Sequence, residues 1–279
     1  MATGQTAKSP ESAKNYLQKH RIMTYLEDAM LQLLEKKDED SKTQPFHFLT
    51  DYFKRAVNGK HVVLREYAFV TATPYNQRCF IKLFWDTYKN ITDTGRVMTC
   101  TEYHSLLRLL CHDFPLDMVN TISLVIFSDV SSDNVVSFSD FIYAFQICFY
   151  FKDFLEKCSE EFCYISSSSA SSLRAQSSPI IVPTSETLLK ETSSYHNLDD
   201  DSDKCDLLLE SIDPKLFWLS TQHLFESKVH SLTVPNVSVV ESAVFSQGTL
   251  SYYNFVNTLV RSDTISEEIG VLPPRNTHY

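Results

Sequence analysis

An all-α protein is what this sequence predicts, and three observations carry that expectation. Glycine is scarce: only Gly4, Gly59, Gly95, Gly248 and Gly270 occur in 279 residues, whereas strand-rich and α/β folds both use glycine at their turns. Apolar residues recur at three- and four-residue spacing over long stretches. A segment of helix–loop–helix character occurs twice, with anchors at Val97 and Val136.

Composition narrows the function before any motif is read. Hydrophobic residues make up 43% and charged residues 22%, as in ordinary globular chains. Lys plus Arg number 25 against 35 Asp plus Glu, a net charge of −10. Nucleic acid and anionic lipid both need a cationic surface, so neither is expected as a partner. No apolar run is long enough to cross a bilayer, and Met1 to Asn15 lacks a signal-peptide core. Seven unevenly spaced cysteines read as reduced thiols, which suits a soluble cytoplasmic protein.

From Glu11 to Lys37 the spacing predicts one amphipathic helix, with Ile22, Leu26, Ala29, Met30, Leu33 and Leu34 on its apolar side. The polar run Lys37 to Gln44 breaks it, and Pro45 suits the first turn of a second helix. Phe46, Leu49, Tyr52, Phe53 and Val57 share a face of that helix, and Asn58-Gly59 supplies a left-handed stop. Two such helices expose more apolar surface than a hairpin can cover. Residues 11–58 are therefore expected to form a homodimer or heterodimer through Ile22, Leu26, Met30, Leu33, Leu49 and Phe53.

Thr73-Pro74 makes an N-cap and first-turn pair for a helix carrying Phe80, Ile81, Phe84, Trp85 and Tyr88. The repeat follows: Asn90 to Tyr103 reads NITDTGRVMTCTEY and Asp129 to Ile142 reads DVSSDNVVSFSDFI. Aligned on Val97 and Val136, both fit a twelve-residue EF-hand frame, so residues 59–164 are expected to form a degenerate paired hand. Phe84, Trp85, Phe127, Phe141 and Phe145 should share its core, with Val97 meeting Val136 across a short strand. A weaker third echo is FSQGTLSYYNFV, with Leu250 at the strand position.

Metal binding needs oxygen ligands at fixed places in that frame. The first loop offers Asn90, Thr92, Thr94, Met98 and Thr101, without a carboxylate, and is expected to hold no metal. The second keeps Asp129, Ser131, Asp133 and Asp140 as a weak candidate set for Ca²⁺. Asp140 is one methylene shorter than the usual bidentate Glu. Both loops are read as packing devices, with no cofactor expected. Residues 165–205 are serine-rich, end in Asp199, Asp200, Asp201 and Asp203, and read as a disordered linker. A smaller helical block over 206–279 closes the chain.

Catalysis finds no footing. There is no HExxH, no GxSxG and no paired CxxC. Cys111-His112-Asp113 holds the letters of a triad, but neighbours on a helix point about 100° apart. Cys158 and Cys163 lack partners for a zinc site. The cluster Lys54, Arg55, Lys60, His61 and Arg65 suits either an acidic partner or, more simply, a solvated helix end. The chain is not expected to be an enzyme.

Several strings together resemble known families. YLQKHRIMTYLEDAMLQLLEKK followed by PFHFLTDYF is similar to the RIIα/Dpy-30 dimerisation-docking motif. REYAFVTATPYN, FWDTYKN, TEYHSLLRLLCHDFPLDM, SFSDFIYAFQICFYF and IIVPTS resemble the centriolar satellite-associated tubulin polyglutamylase complex regulator family. The resemblance implies a non-catalytic subunit that binds and stabilises that complex, with the ligase on another polypeptide. It further implies centriolar satellite proteins as partners, indirect contact with microtubules, a role in cilia, and a location at cytoskeleton and centrosome. Direct contact with the acidic tubulin tail is not expected of a chain this acidic. The competing expectations are a calcium-responsive adaptor and a docking adaptor acting through the N-terminal helices alone.

Overall fold

The computed structural model describes residues 10–127, 135–176, 207–226 and 232–275. It is mostly helical, with one two-stranded sheet. Two compact units divide the chain, the first running to Tyr150 and taking up the C-terminal segment from Ser266, the second beginning at Phe151.

The first unit opens with α1 (Pro10–Lys19) and α2 (Ile22–Glu39). One continuous helix was the expectation; the chain instead turns at His20–Arg21, where Arg21 takes a left-handed conformation, φ 48°. Such a conformation is uncommon outside glycine. Its guanidinium donates to the Ala72 carbonyl at 2.6 Å, which ties the corner to a distant part of the unit. Helix α3 (Pro45–Val57) starts on its proline and ends as the sequence indicates. Gly59, at φ +69°, donates to Ala56, and Lys60 donates to Arg55. This bond pair satisfies the last carbonyls of α3 in a Schellman arrangement. A Cβ on Gly59 would sit 3.1 Å from Cys79 Sγ, so packing also asks for glycine.

A short helix α4 (Tyr67–Thr71) leads to α5 (Pro74–Tyr88), where the Thr73 hydroxyl accepts from the Asn76 N–H as expected. After the single turn α6 (Asn90–Asp93) come β1 (Val97–Thr99), α7 (Cys100–Leu110), α8 (Leu116–Phe127), β2 (Val135–Ser137) and α9 (Phe138–Tyr150). The strands pair antiparallel, with Met98 opposite Val136 and Val97 opposite Ser137. This corrects the expected register by one residue. The reason is burial: Met98 points inward and is 6% exposed, while Val97 is 53% exposed, and a one-residue slip would reverse every side chain in the strand.

Helix α9 is apolar all round and buried from Phe141 to Tyr150, as expected of a central helix. Phe141, Phe145 and Phe149 form a near-parallel ladder along it, with ring centroids 6.1 and 5.2 Å apart. Tyr103 of α7 stacks on Phe141 at 4.0 Å, and Phe84 of α5 meets Phe145 at 5.5 Å. The C-terminal segment covers the other side of α9. Tyr143 donates to the Pro273 carbonyl at 2.6 Å, Gln146 to Ser266 at 2.7 Å, and Arg275 lies over the Tyr143 ring.

The second unit is built on α10 (Lys152–Gln176). A structureless linker was expected from residue 165, but the helix continues to Gln176. Ser166 is buried and its hydroxyl donates to the Leu207 carbonyl at 3.4 Å. Helix α11 (Pro214–Thr221) packs on α10, and α12 (His223–Glu226) reaches it through Phe225; α13 (Val237–Val244) packs on α11 and on α14 (Tyr252–Val260), and α15 (Asp263–Ile269) follows. Phe162 meets Phe217 and Tyr252, and the Tyr252 hydroxyl donates to the Leu155 carbonyl at 2.7 Å.

The third echo in the sequence has a counterpart here. Leu250 pairs with Ile212 through two backbone hydrogen bonds, and the next residue of each, Ser251 or Asp213, caps a helix. In the first unit Met98 and Val136 pair, and the residues after them, Thr99 and Ser137, likewise accept backbone N–H groups of the helices they precede. The same device thus serves both units: a strand contact, then a capped helix.

Candidate functional site

Three surfaces of the first unit bear on function, and the polar seam beneath the N-terminal helices holds α2 and α3 in place. Asp28 of α2 receives Arg65 through two bonds of 2.6 and 3.0 Å, Tyr52 of α3 at 2.6 Å, and Gln32 at 2.9 Å. Burial pushes the Asp28 carboxyl up, but the bonds from Arg65 and Tyr52 outweigh it and hold the group below the usual carboxylate range. Arg65 also lies flat over Phe69 at 3.7 Å. Beside this cluster, Tyr25 donates to Asn76, which accepts from His61 as well and donates to the Phe69 carbonyl.

His61 is 5% exposed and stacks on Tyr75, 5.5 Å between centroids. Its Nε2 faces the Asn76 oxygen at 2.8 Å, so that nitrogen carries the hydrogen, and Nδ1 has no hydrogen-bond partner among the described residues. Burial pushes its pKa down, with the Asn76 bond countering in part. The basic cluster noted in the sequence is thereby divided. His61 and Arg65 are interior fasteners, not a solvated helix end, whereas Lys54 and Arg55 stay exposed on α3.

The second surface is the docking face expected of α2 and α3. Met23, Leu26, Met30 and Leu34 are exposed and recur at three- and four-residue spacing, so they form one stripe along α2. Phe46, 85% exposed, and Val57, 80% exposed, stand on one side of α3. Of the six residues the sequence singles out, Leu26 and Met30 lie in the open stripe. Ile22 on α2 and Leu49 and Phe53 on α3 are half-buried. Leu33 departs from the expectation: it is 6% exposed, because it sits on the buried side of α2 with Ala29.

The paired loops form the third surface. Phe84, Phe141 and Phe145 converge, and Trp85 stacks on Phe138, 6.0 Å between centroids. Val136 is buried opposite Met98, not Val97. Phe127 is half-buried, and its ring joins none of these contacts among the described residues. It closes α8 next to the loop instead of entering the core.

The observed register moves the first loop's frame by one residue and brings Glu102 to its last position. That carboxylate is already engaged. It accepts the Thr99 N–H at 2.8 Å and the Thr99 hydroxyl at 3.1 Å, which hold its pKa down. Arg96 stands 3.5 Å away, a cation supplied by the loop itself. In the second loop Asp129, Ser131 and Asp133 lie outside the described residues. Asp140 accepts the Ser137 hydroxyl at 2.7 Å while Ser137 Oγ accepts the Asp140 N–H. No group of three His, Cys, Asp or Glu side chains arranged for a metal occurs among the described residues.

Cys111-His112-Asp113 also has a structural role. Asp113 accepts the Tyr67 N–H at 2.9 Å, which caps α4, and the Cys111 thiol donates to the same oxygen at 3.3 Å. Burial and Asp113 push the Cys111 pKa up to about 12, so it stays a neutral thiol. His112 is turned to solvent. No described helix is long and apolar enough to cross a membrane.

Comparison with known proteins adds the following. The family model described as the CSTPP1 N-terminal domain matches residues 9–59, the stretch holding α1 to α3. Proteins named centriolar satellite-associated tubulin polyglutamylase complex regulator 1 match along nearly the whole chain. The zebrafish (Danio rerio) protein is 36% identical over 259 residues, covering 92% of this chain and 73% of its own length. The human (Homo sapiens) and orangutan (Pongo abelii) proteins are each 32% identical over 262 residues, covering 93% of this chain and 74% of their own. No solved structure matches this chain.

Proposed function

The chain belongs to the family of the centriolar satellite-associated tubulin polyglutamylase complex regulators, and on that premise we propose that it binds and stabilises the polyglutamylase complex as a non-catalytic subunit. Its family role is that of a regulator, not of the enzyme regulated. The ligase that adds glutamate to tubulin is then a separate polypeptide. The level of this subunit sets how much microtubule polyglutamylation the cell sustains, and with it cytoskeletal organisation and cilia. The site of action is the centriolar satellite and centrosome.

One observation carries the reading beyond the family name. Within residues 9–59, α2 carries the open stripe Met23, Leu26, Met30 and Leu34, anchored from beneath by Asp28 and Arg65. An ordered helix that is held from beneath by Ala29, Leu33 and the Asp28 anchor, and that leaves leucines and methionines outside, is suited to receiving another helix. We assign this stripe to docking, with a second copy or a related docking segment of another subunit. A calcium-switch role draws less support, since the carboxylates at the last loop positions are engaged in helix caps, Glu102 with Thr99 and Asp140 with Ser137.

Loss and rescue test the reading. Cells lacking the chain should show reduced tubulin polyglutamylation, restored by the wild-type chain and not by Leu26→Asp with Met30→Asp. Unchanged polyglutamylation in cells lacking the chain would remove the proposal.

A further inference from the structure

A second concave surface lies along α3, separate from the apolar stripe. It is a groove of about 770 Å³ between the last turns of α2 and the length of α3, within the size range of ligand sites. Lys36 stands on its α2 side, and His47, Phe48, Asp51, Lys54 and Arg55 line its α3 side at spacings that put them on one helical face. Lys36, Lys54 and Arg55 are permanent cations; Asp51 is the single lining carboxylate and already faces His47 at 3.2 Å.

Lys36 touches Glu39 at 3.4 Å in a solvent-exposed pair, which is a weak restraint. Lys54 and Arg55 are exposed and have no carboxylate partner among the described residues. The start of α3 adds positive potential, because its first turn holds no acidic residue and no side chain caps it. In a chain of net charge −10, residues 10–60 carry nine Lys and Arg against eight Asp and Glu. The groove is a local exception to an acidic molecule.

We propose that this groove binds an acidic, glutamate-rich peptide segment of a partner protein. Carboxylates suit the ammonium and guanidinium groups of Lys36, Lys54 and Arg55, and half-buried Phe48 gives the methylenes of glutamate a surface to pack on. Three cations in a short groove are too few to track a nucleic-acid backbone, which draws on many phosphate contacts. The inference rests on the regulatory-subunit reading and names the chemistry of one contact such a subunit makes.

The test uses the full chain and a fluorescently labelled ten-residue glutamate peptide, followed by anisotropy at low salt. Saturable binding is expected, weakened at least tenfold by Lys54→Glu with Arg55→Glu and also by Lys36→Glu. It should be retained in Lys54→Arg with Arg55→Lys. Binding no better than a glycine–serine peptide, equal binding to a single-stranded RNA of the same charge, or indifference to the charge reversals would overturn the proposal. Recovery of polyglutamylase subunits with the wild-type chain, measured alongside, separates the two readings: recovery without peptide binding sinks the groove alone.

Discussion

Arg65 shows how far a single side chain can act from its place in the sequence. It joins Asp28, 37 residues away, with exposures of 18% and 12%, and so pins α2 to the rest of the first unit. Removing one member of a largely buried pair leaves the other uncompensated, a loss of about 3–5 kcal/mol. Arg65→Ala should therefore lower the melting temperature clearly, while Lys54→Ala on the exposed side of α3 should leave it nearly unchanged. Calorimetry on the two variants checks the contrast. His61 makes the stability of the unit depend on pH. Its folded pKa lies below the unfolded value, so its contribution is complete above about pH 6.5 and lost as pH falls toward the folded pKa. Asp28, also depressed, is lost only in the more acidic range below the usual carboxylate pKa. Melting temperature should fall between pH 7 and pH 5, less steeply in His61→Gln. Gly59 was legible in the sequence, because Asn-Gly after an apolar helix marks a left-handed stop. Arg65 and His61 were not, since charge next to lysines reads as solvated until the fold brings a distant Asp28 and Asn76 to meet it.

Elements were legible where periodicity decides them and obscure where one residue of register does. The aromatic spacing of α5, α7 and α9 indicated a shared core, and Phe84, Tyr103, Phe141 and Phe145 form it. Phe141→Ala should cost about 3–5 kcal/mol, read by denaturant unfolding. The strand register was missed because Val97 and Met98 are both apolar and either can be aligned with Val136. Burial separates them: Met98→Asp should destabilise strongly, and Val97→Asp should change stability by about 0.5 kcal/mol or less. Asp140→Ala should lose about 1 kcal/mol through the cap with Ser137, equally with and without chelator. Calcium-dependent stabilisation erased by that change would instead mark the loop as a working metal site. Helix α10 overran its expected end because serine composition signals disorder locally, whereas Phe162 and Ser166 find partners only in the folded unit.

At the scale of the whole molecule, each unit closes on a central helix, α9 in the first and α10 in the second, and each uses a strand contact followed by capped helices. Ser266, Pro273 and Arg275 return to α9, a contact spanning more than a hundred residues that no local pattern announces. In the first unit the α2 stripe stands open to solvent, and the central claim is that this stripe joins the chain to the polyglutamylase complex. The most direct measurement is affinity purification of the tagged full chain with quantitative mass spectrometry, comparing wild type with Leu26→Asp/Met30→Asp after circular dichroism has shown both folded. The expected result is that the wild-type chain recovers the tubulin ligase and its companion subunits and the variant loses at least nine-tenths of them. Recovery of no polyglutamylase subunit by the wild-type chain, or equal recovery by the folded variant, would contradict the account.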